Sequence, residues 1–470
     1  MKKQPAQKSY FFDQGYRDVG RVMATTWKNT LSPVANELER LGEIFSNNFI
    51  AGLFTLICDV FVFTAITVAI LALNLVFSLL FLAFFVVAAA VIYVGFTLAA
   101  IADFLFCVVH RFSSQCPRCQ KRYMLPTYEC PSCHALHSAL RPSKYGILKR
   151  KCNCGKKLPT TFFNGRQRLS AVCPDCSMPL KDGGQHIEIS IPVVGGPSSG
   201  KTCFITMAIS QLEKVAPRHK LDFDYSPTLG DDYRQNAARM NSGARPDKTS
   251  DFRLRYYQFH LTPKGQKYKN LISLCDVAGE TYENSEELGK QIGFKNANAF
   301  LMVVDPLSIG AYRRELISAK VDVRQYGASS RLIDEVLDIL INTLDNMNGK
   351  SSSSAVKADI AVVFTKCDIP GLDALIGPAA VQRRMVERGI DKYAAQNELC
   401  EAFLSTYLED NFLNRLNSKF RSVQFFSSSA LGHLENGTQF TPSGVEEPVL
   451  WLVDKASNNI DLKKQWGKKI

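Results

Sequence analysis

The segment Gly195-Gly-Pro-Ser-Ser-Gly-Lys-Thr202 fits G-x4-G-K-[ST], a pattern whose residue types suit one task, the holding of a polyphosphate. Glycines at 195, 196 and 200 let the backbone curl, so that loop N–H groups and a helix N-terminus face the β- and γ-phosphates. Lys201 adds a point charge on those phosphates, and the Thr202 hydroxyl reaches the magnesium they carry. The loop candidates are Gly195, Gly196, Pro197, Ser198, Ser199, Gly200, Lys201, Thr202 and Cys203.

Three further patterns follow in order. Asp276-Val-Ala-Gly279 places a carboxylate for magnesium and, three residues on, a glycine N–H for the γ-phosphate. Thr365-Lys366-Cys-Asp368 matches [NT]-K-x-D: Asp368 accepts from both the ring N–H and the exocyclic amine of guanine, which adenine lacks, while Lys366 lies along the base. Ser429-Ala430 stands where a backbone N–H meets the guanine carbonyl.

A second chemistry lies upstream. Cys116-Pro-Arg-Cys119 and Cys130-Pro-Ser-Cys133 have the spacing of one zinc ribbon, and Cys152-Asn-Cys154 with Cys173-Pro-Asp-Cys176 form a second set. Two Zn2+ sites in tandem are expected, with His134 and His137 outside the ligand sets. Cysteine pairs beside a nucleotide site speak for a reducing compartment and metal ligation rather than disulfides.

These groups need elements to carry them. His186–Val194 reads as a strand into the glycine loop and Cys203–Val215 as the helix after it. Asp251–Leu261 and Lys269–Cys275 read as adjacent strands, and Ala299–Val304, Ile360–Phe364 and Val423–Phe426 as buried ones. Leu332, Val336, Leu340 and Leu344 mark one helix face, and Glu446-Glu-Pro-Val-Leu-Trp-Leu a C-terminal helix.

With its motifs in that order, the stretch 187–455 resembles a P-loop GTPase of the Ras-like, translation-factor-related class. The resemblance implies an α/β fold with a six-stranded, mostly parallel sheet, GTP and Mg2+ as ligands, and hydrolysis. It also places the switch threonine at Thr249, with Thr228 as the alternative, so that Mg2+ is held by Thr202, Thr249 and Asp276. Arg245 stands near the position of the built-in arginine finger of heterotrimeric G-protein α subunits. Lys201, Arg245, Thr249 and Glu280 are therefore the catalytic candidates. Glu280 replaces the family's usual glutamine, and Pro197 stiffens the loop, so slow turnover or a GTP-locked scaffold is the competing expectation. The whole assembly is similar to bacterial double-GTPase-type proteins proposed in conflict systems.

The remaining signal is apolar. Phe49–Val109 is hydrophobic throughout, with no Lys or Arg between Arg40 and Arg111 and no charged residue from Val60 to Ala102. Its length exceeds one crossing of ~30 Å and predicts a two-helix transmembrane hairpin that reverses between Asn74 and Phe81, with Asp59 and Asp103 at one interface. Seven Lys or Arg before residue 41 and the basic stretch after Arg111 put both ends on the cytosolic side, as in a bacterial inner-membrane protein. Ahead of it, Ser32-Pro33 predicts the start of an amphipathic helix bearing Val34, Leu38, Leu41 and Phe45.

The expected domains are thus a basic N-terminal segment over 1–48, the hairpin over 49–110, the ribbons over 111–183 and the GTPase domain over 184–470. Residues 111–181 hold fourteen Lys or Arg against Glu129 and Asp175, so the net charge of +12 is entirely local. Two Zn(Cys)4 groups would lower that patch to roughly +8. Expected partners are the bilayer and a protein beside it, with nucleic acid the weaker alternative for this basic, Phe162- and Phe163-bearing region.

Overall fold

The computed structural model describes residues 4–47, 49–109, 112, 114–116, 119, 121–180, 186–226, 229, 231–246, 255–266, 269–276, 294, 297–348, 356–408, 411–434 and 438–457. Contacts divide the chain into two units, one of residues 1–109 and 125–185, the other of 110–124 and 186–470.

The second unit is built on seven strands: β1 (Ile187–Val194), β2 (Leu221–Tyr225), β3 (Arg255–Pro263), β4 (Asn270–Asp276), β5 (Ala299–Val304), β6 (Val356–Phe364) and β7 (Phe420–Ser427). Their spatial order is β2-β3-β4-β1-β5-β6-β7. Every residue of β1, β4 and β5 is buried, as expected of strands covered on both faces. The pairs from β4 through β7 are parallel, and β2–β3 and β3–β4 are antiparallel. The sheet is therefore mixed and has one strand more than the six expected. The addition, β2, is an edge strand whose residues are mostly accessible, so it carries no long apolar run to reveal it.

Helix α3 (Lys201–Val215) follows the glycine loop, and α4 (Ile333–Asn348), α5 (Lys392–Tyr407) and α6 (Glu447–Ala456) come later in the chain. Ile333, Val336, Leu337, Leu340 and Leu344 of α4 join Phe300, Met302, Val304, Ile360, Val362 and Phe364 in one core. Leu332 was expected on that face but is 51% exposed. Leu332 precedes the first residue of α4: its carbonyl accepts from Val336 N at 3.3 Å, but its side chain lies ahead of the helix and is not carried on the buried face.

The first unit contains α1 (Gln14–Asn47) and α2 (Phe49–Val109). Helix α2 is continuous over 61 residues, which corrects the reversal expected between Asn74 and Phe81. That stretch, Asn-Leu-Val-Phe-Ser-Leu-Leu-Phe, contains neither Gly nor Pro, so nothing in it breaks the helical hydrogen-bond ladder. Helix α1 instead ends at Asn47 and α2 begins at Phe49, and α1 runs back along α2. Tyr16 and Tyr93 share a hydroxyl contact at 3.2 Å, Trp27 Nε1 donates to Ser78 Oγ at 3.1 Å, and Phe12 meets Tyr93 edge-on.

The expected helix start at Ser32-Pro33 is also corrected, because Pro33 lies inside α1. Proline cannot donate to the carbonyl four residues back, which belongs to Asn29. The Ser32 hydroxyl donates to that carbonyl at 3.2 Å and fills the gap.

The cysteine-rich part of this unit is a set of two- and three-residue strands. Thr127–Glu129 pairs antiparallel with both Leu136–His137 and Ala171–Val172, and Lys149–Lys151 with Lys157–Pro159. The N-terminal arm lies on it: Gln7 N donates to Lys151 O at 2.9 Å, Ser9 N to Lys144 O at 3.0 Å, and Asn153 N to Pro5 O at 3.1 Å.

Asp103 of α2 is anchored there as well. Its carboxylate accepts from Arg166 Nη1 and from Phe162 N, each at 2.8 Å, and the Arg166 and Asp103 side chains are 1% and 7% exposed. Asp103 was expected to be a plain boundary residue beside Asp59; it is half of a buried ion pair, with an arginine far away in sequence. The side chain of Asp59 lies outside the described residues.

Candidate functional site

The glycine loop leaves the C-terminal end of β1, the end at which open α/β sheets receive ligands. A side chain at Gly195 would place Cβ 2.6 Å from the Val303 carbonyl oxygen, and Gly200 sits at φ +90°, which L side chains rarely adopt. Both positions therefore require glycine for the loop to curl over the sheet edge. Ser198, at φ 57°, takes the left-handed conformation without being glycine.

Lys201 is the first residue of α3 and reaches back across the loop. Its Nζ donates to the carbonyls of Gly195 and Gly196 at 2.8 and 2.9 Å. Burial lowers its pKa to about 8, with Asp276 opposing the shift. A cation held there without a counter-charge in hydrogen-bond contact is electrostatically primed for an anion. Beside it, Thr202 Oγ1 donates to Asp276 Oδ2 at 3.1 Å. Burial raises the Asp276 pKa, against Lys201 and the Thr202 hydrogen bond. A hydroxyl and a buried carboxylate in direct contact, next to a lysine, suit a divalent cation with oxygen ligands. Burial likewise pushes the Cys203 thiol up to about 11.

The third segment closes onto the loop from β6. Thr365 Oγ1 donates to Ser199 O at 2.9 Å, and Lys366 Nζ to Ser198 O at 3.1 Å. Ser429 Oγ donates to Asp368 Oδ1 at 2.5 Å, and Gly432 N donates to Ser429 Oγ at 2.7 Å. Ser429 thus orients Asp368 with its side chain, a role apart from the backbone contact expected of Ser429-Ala430. Ala430 is buried beside it.

Arg245 is described, and its Nη2 donates to Gln325 O at 3.2 Å. Its charge reaches the Cys203 thiol, so it lies near the loop. Thr249, the alternative Thr228, Gly279 and Glu280 lie outside the described residues.

Asp305 is the participant that motif reading passed over. It directly follows β5, is 1% exposed, and accepts from Leu307 N at 3.0 Å, Ser329 N at 2.7 Å and Lys366 Nζ at 2.7 Å. Its signal was positional: like the glycine loop and Asp276, it stands at the C-terminal end of a buried parallel strand.

In the first unit, Cys130, Cys133, Cys152 and Cys154 come together, with all four Sγ atoms within 4.8 Å of one another. Two of the separations are 3.6 Å (Cys130–Cys154) and 3.5 Å (Cys133–Cys152). Tetrahedral zinc with Zn–S near 2.3 Å requires about 3.8 Å between sulfurs, so the donor set fits that ion. This grouping corrects the tandem arrangement, because Cys130 and Cys133 join the third cysteine pair rather than Cys116 and Cys119. The cause is packing: buried Cys130 and Cys152 belong to one small core with Tyr128, Leu140, Leu158 and Ala171. The complementary four are Cys116, Cys119, Cys173 and Cys176.

With this geometry in view, the comparisons with known proteins assign the class. Residues 189–430, just over half of the chain, match the family model Double-GTPase 2. The chain belongs to that family. Among solved structures it is similar to the Saccharomyces cerevisiae Ski7 GTPase-like domain bound to GTP, at 10% identity and TM-score 0.28. That match covers 59% of this chain and 51% of the other. It is also similar to Methanosarcina barkeri Roco2 RocCORdC bound to GDP, at 12% identity and TM-score 0.23, over 58% of this chain and 51% of that one. The chain thus spans about half the length of these structures. No curated protein matches it.

Proposed function

We propose that this chain is a membrane-anchored GTPase switch, which binds GTP in the glycine-loop pocket and hydrolyses it to GDP and phosphate. The observation that carries the reading is convergence. Lys201, Thr202 with Asp276, and Asp368 with Ser429 come from four separate stretches of sequence and meet at the C-terminal end of one sheet. Each has the chemistry of a different part of a guanine nucleotide.

In this reading Lys201 leaves the Gly195 and Gly196 carbonyls for the β- and γ-phosphate oxygens, and loop N–H groups take the remaining phosphate oxygens. Thr202 and Asp276 would hold Mg2+, which neutralises phosphate charge when bound. Asp368, held by Ser429, accepts from the two guanine donors and excludes adenine. The roles assigned to the remaining candidates are γ-phosphate sensing for Thr249 and Gly279, spreading of transition-state charge for Arg245, and holding of the hydrolytic water for Glu280 or Arg245.

Anchoring rests on α2. One described helix, over Phe63–Val109, is long and apolar enough to cross a membrane, with a mean hydropathy of 3.0 in its strongest window. Its side chains are widely exposed, among them Phe77, Phe84, Val91 and Leu98. In aqueous solution that surface would be costly, whereas lipid solvates it. The cysteine-rich region, with zinc on its thiolates, then serves as a rigid cytosolic platform beside the bilayer for a protein partner.

The test is single-turnover hydrolysis by the purified full chain, with ATP and Lys201→Ala as controls. GTP-selective turnover that disappears in the variant is expected. Failure to bind GTP at all overturns the reading; binding without turnover overturns the hydrolytic part and leaves a GTP-locked scaffold. Release of the protein from membranes by alkaline carbonate would separately remove the anchor.

A further inference from the structure

Lys366 is expected to lie along a base, and all three of its N–H donors have acceptors. They go to Ser198 O at 3.1 Å, Asp305 Oδ2 at 2.7 Å and Gly327 O at 2.5 Å. Only the aliphatic stem is left to meet a ligand. The Lys366 side chain is 13% exposed and that of Asp305 0%, so the pair is desolvated and Asp305 supplies the charged acceptor. Lys366 also holds a left-handed backbone, φ 57°, which is uncommon for a lysine and has to be imposed by its contacts.

Asp305 does more than pair. Its Oδ2 also takes the Ser329 N–H, and the Ser329 hydroxyl lies against the phosphate loop, 2.6 Å from where a Cβ on Gly196 would be. Gly327 and Ser329 are thereby fixed between the base-reading lysine and the loop. In the same stretch, the Gln325 carbonyl accepts from Arg245. One buried carboxylate therefore organises a segment that touches the phosphate loop, the base platform and the arginine beside the switch.

We infer that Asp305 is a positioning residue for the guanine nucleotide: it locks the stem of Lys366 where it can lie along the face of the base and braces residues 327–329 against the phosphate loop. The inference rests on the reading of this pocket as a GTP site. Because the device acts on the base and loop rather than on the γ-phosphate, it holds GDP and GTP alike.

The experiment uses the full chain and a fluorescent GDP analogue, followed by its dissociation rate. Asp305→Asn keeps the shape but removes the charged acceptor, and loss of one charge-assisted contact corresponds to roughly ten- to a hundredfold faster release. GTP and GDP release should accelerate by the same factor. In a cycle with Lys366→Met, the double variant should release GDP no faster than the worse single variant, since both changes remove one device. The double variant also removes both buried charges, so it reports even if Asp305→Asn alone does not fold.

A general structural role would lower the melting temperature and leave GDP release within twofold of the parent. Additivity, or release within twofold of the parent in Asp305→Asn, overturns the inference. Failure of the parent chain itself to bind the GDP analogue instead overturns the GTP reading beneath it.

Discussion

The nucleotide pocket and the cysteine-rich region both gather short polar segments onto a small scaffold, but they solve the problem in opposite ways. In the pocket the scaffold comes first: seven strands and a large apolar core place loop ends within reach of each other. In the cysteine-rich region the core is a handful of residues around Tyr128 and Leu158, too small to pay for the order of so many turns. There the thiolates and the buried Asp103–Arg166 pair do the holding. A ligand should therefore tune the first region and decide the existence of the second.

Metal removal tests that contrast most severely, because binding free energy at a structural zinc site is folding free energy, on the order of 10 kcal/mol. A strong chelator at neutral pH should abolish amide protection across residues 127–172. It should also free the N-terminal arm, whose Gln7 and Ser9 N–H groups depend on Lys151 and Lys144. Hydrogen exchange reads both at once while β1 to β7 stay protected. Retained protection at Gln7 and Ser9 after chelation would mean that the region folds without its metal and that the contrast is wrong.

A smaller effect is expected from Arg166→Ala. The guanidinium also donates to Leu140 O and Thr160 O at 3.0 and 2.7 Å, so the change leaves Asp103 buried without its ion-pair partner and two carbonyls short of a donor. Breaking a buried pair in this way costs about 3–5 kcal/mol. Denaturant unfolding of the purified protein, followed in the cysteine-rich region, should show that loss, and GTP binding should stay within a few-fold of the parent. An equal loss in GTP binding would show that the two regions are energetically one.

The pocket offers the mildest test, through protons. Burial holds the Lys201 pKa near 8, below its ordinary 10.5, so the folded state binds fewer protons than the unfolded one between those values. Stability from this group thus rises as pH climbs from about 8 to 10.5, and its burial penalty is present in full below 8. A phosphate beside the ammonium raises the pKa again. Nucleotide binding should therefore take up protons above pH 8, and affinity should fall with pH there by at most about tenfold per unit. Calorimetry in buffers of different ionisation enthalpy measures the uptake. No uptake at pH 8.5 to 9 would place Lys201 away from the phosphates.

The two regions also differed in how far residue patterns revealed them. The glycine loop, Asp276 and Thr365-Lys366-Cys-Asp368 are legible because each works through neighbours in sequence on one strand-to-loop turn. Asp305 is not, since a single aspartate after a strand has no spacing to recognise until Ser329 and Lys366 are folded around it. The cysteine pairs were legible as ligands but not as partners. Thr249, Gly279 and Glu280 lie outside the described residues and stay with the proposal.

By itself, then, the sequence determined the things that local geometry governs: strands and helices from apolar periodicity, the phosphate loop from its glycines, the thiolate knuckles from their spacing, and a long lipid-like segment from its composition. Tertiary structure decided what depends on residues distant in the chain. It joined Cys130 and Cys133 to Cys152 and Cys154, gave Asp103 to Arg166 and Lys366 to Asp305, and ran Phe49–Val109 as one helix with α1 folded back along it. The physical reason is the same in each case. Spacing sets which atoms a short segment can present, whereas the choice among equally capable partners is made by burial, and burial exists only once the chain is packed.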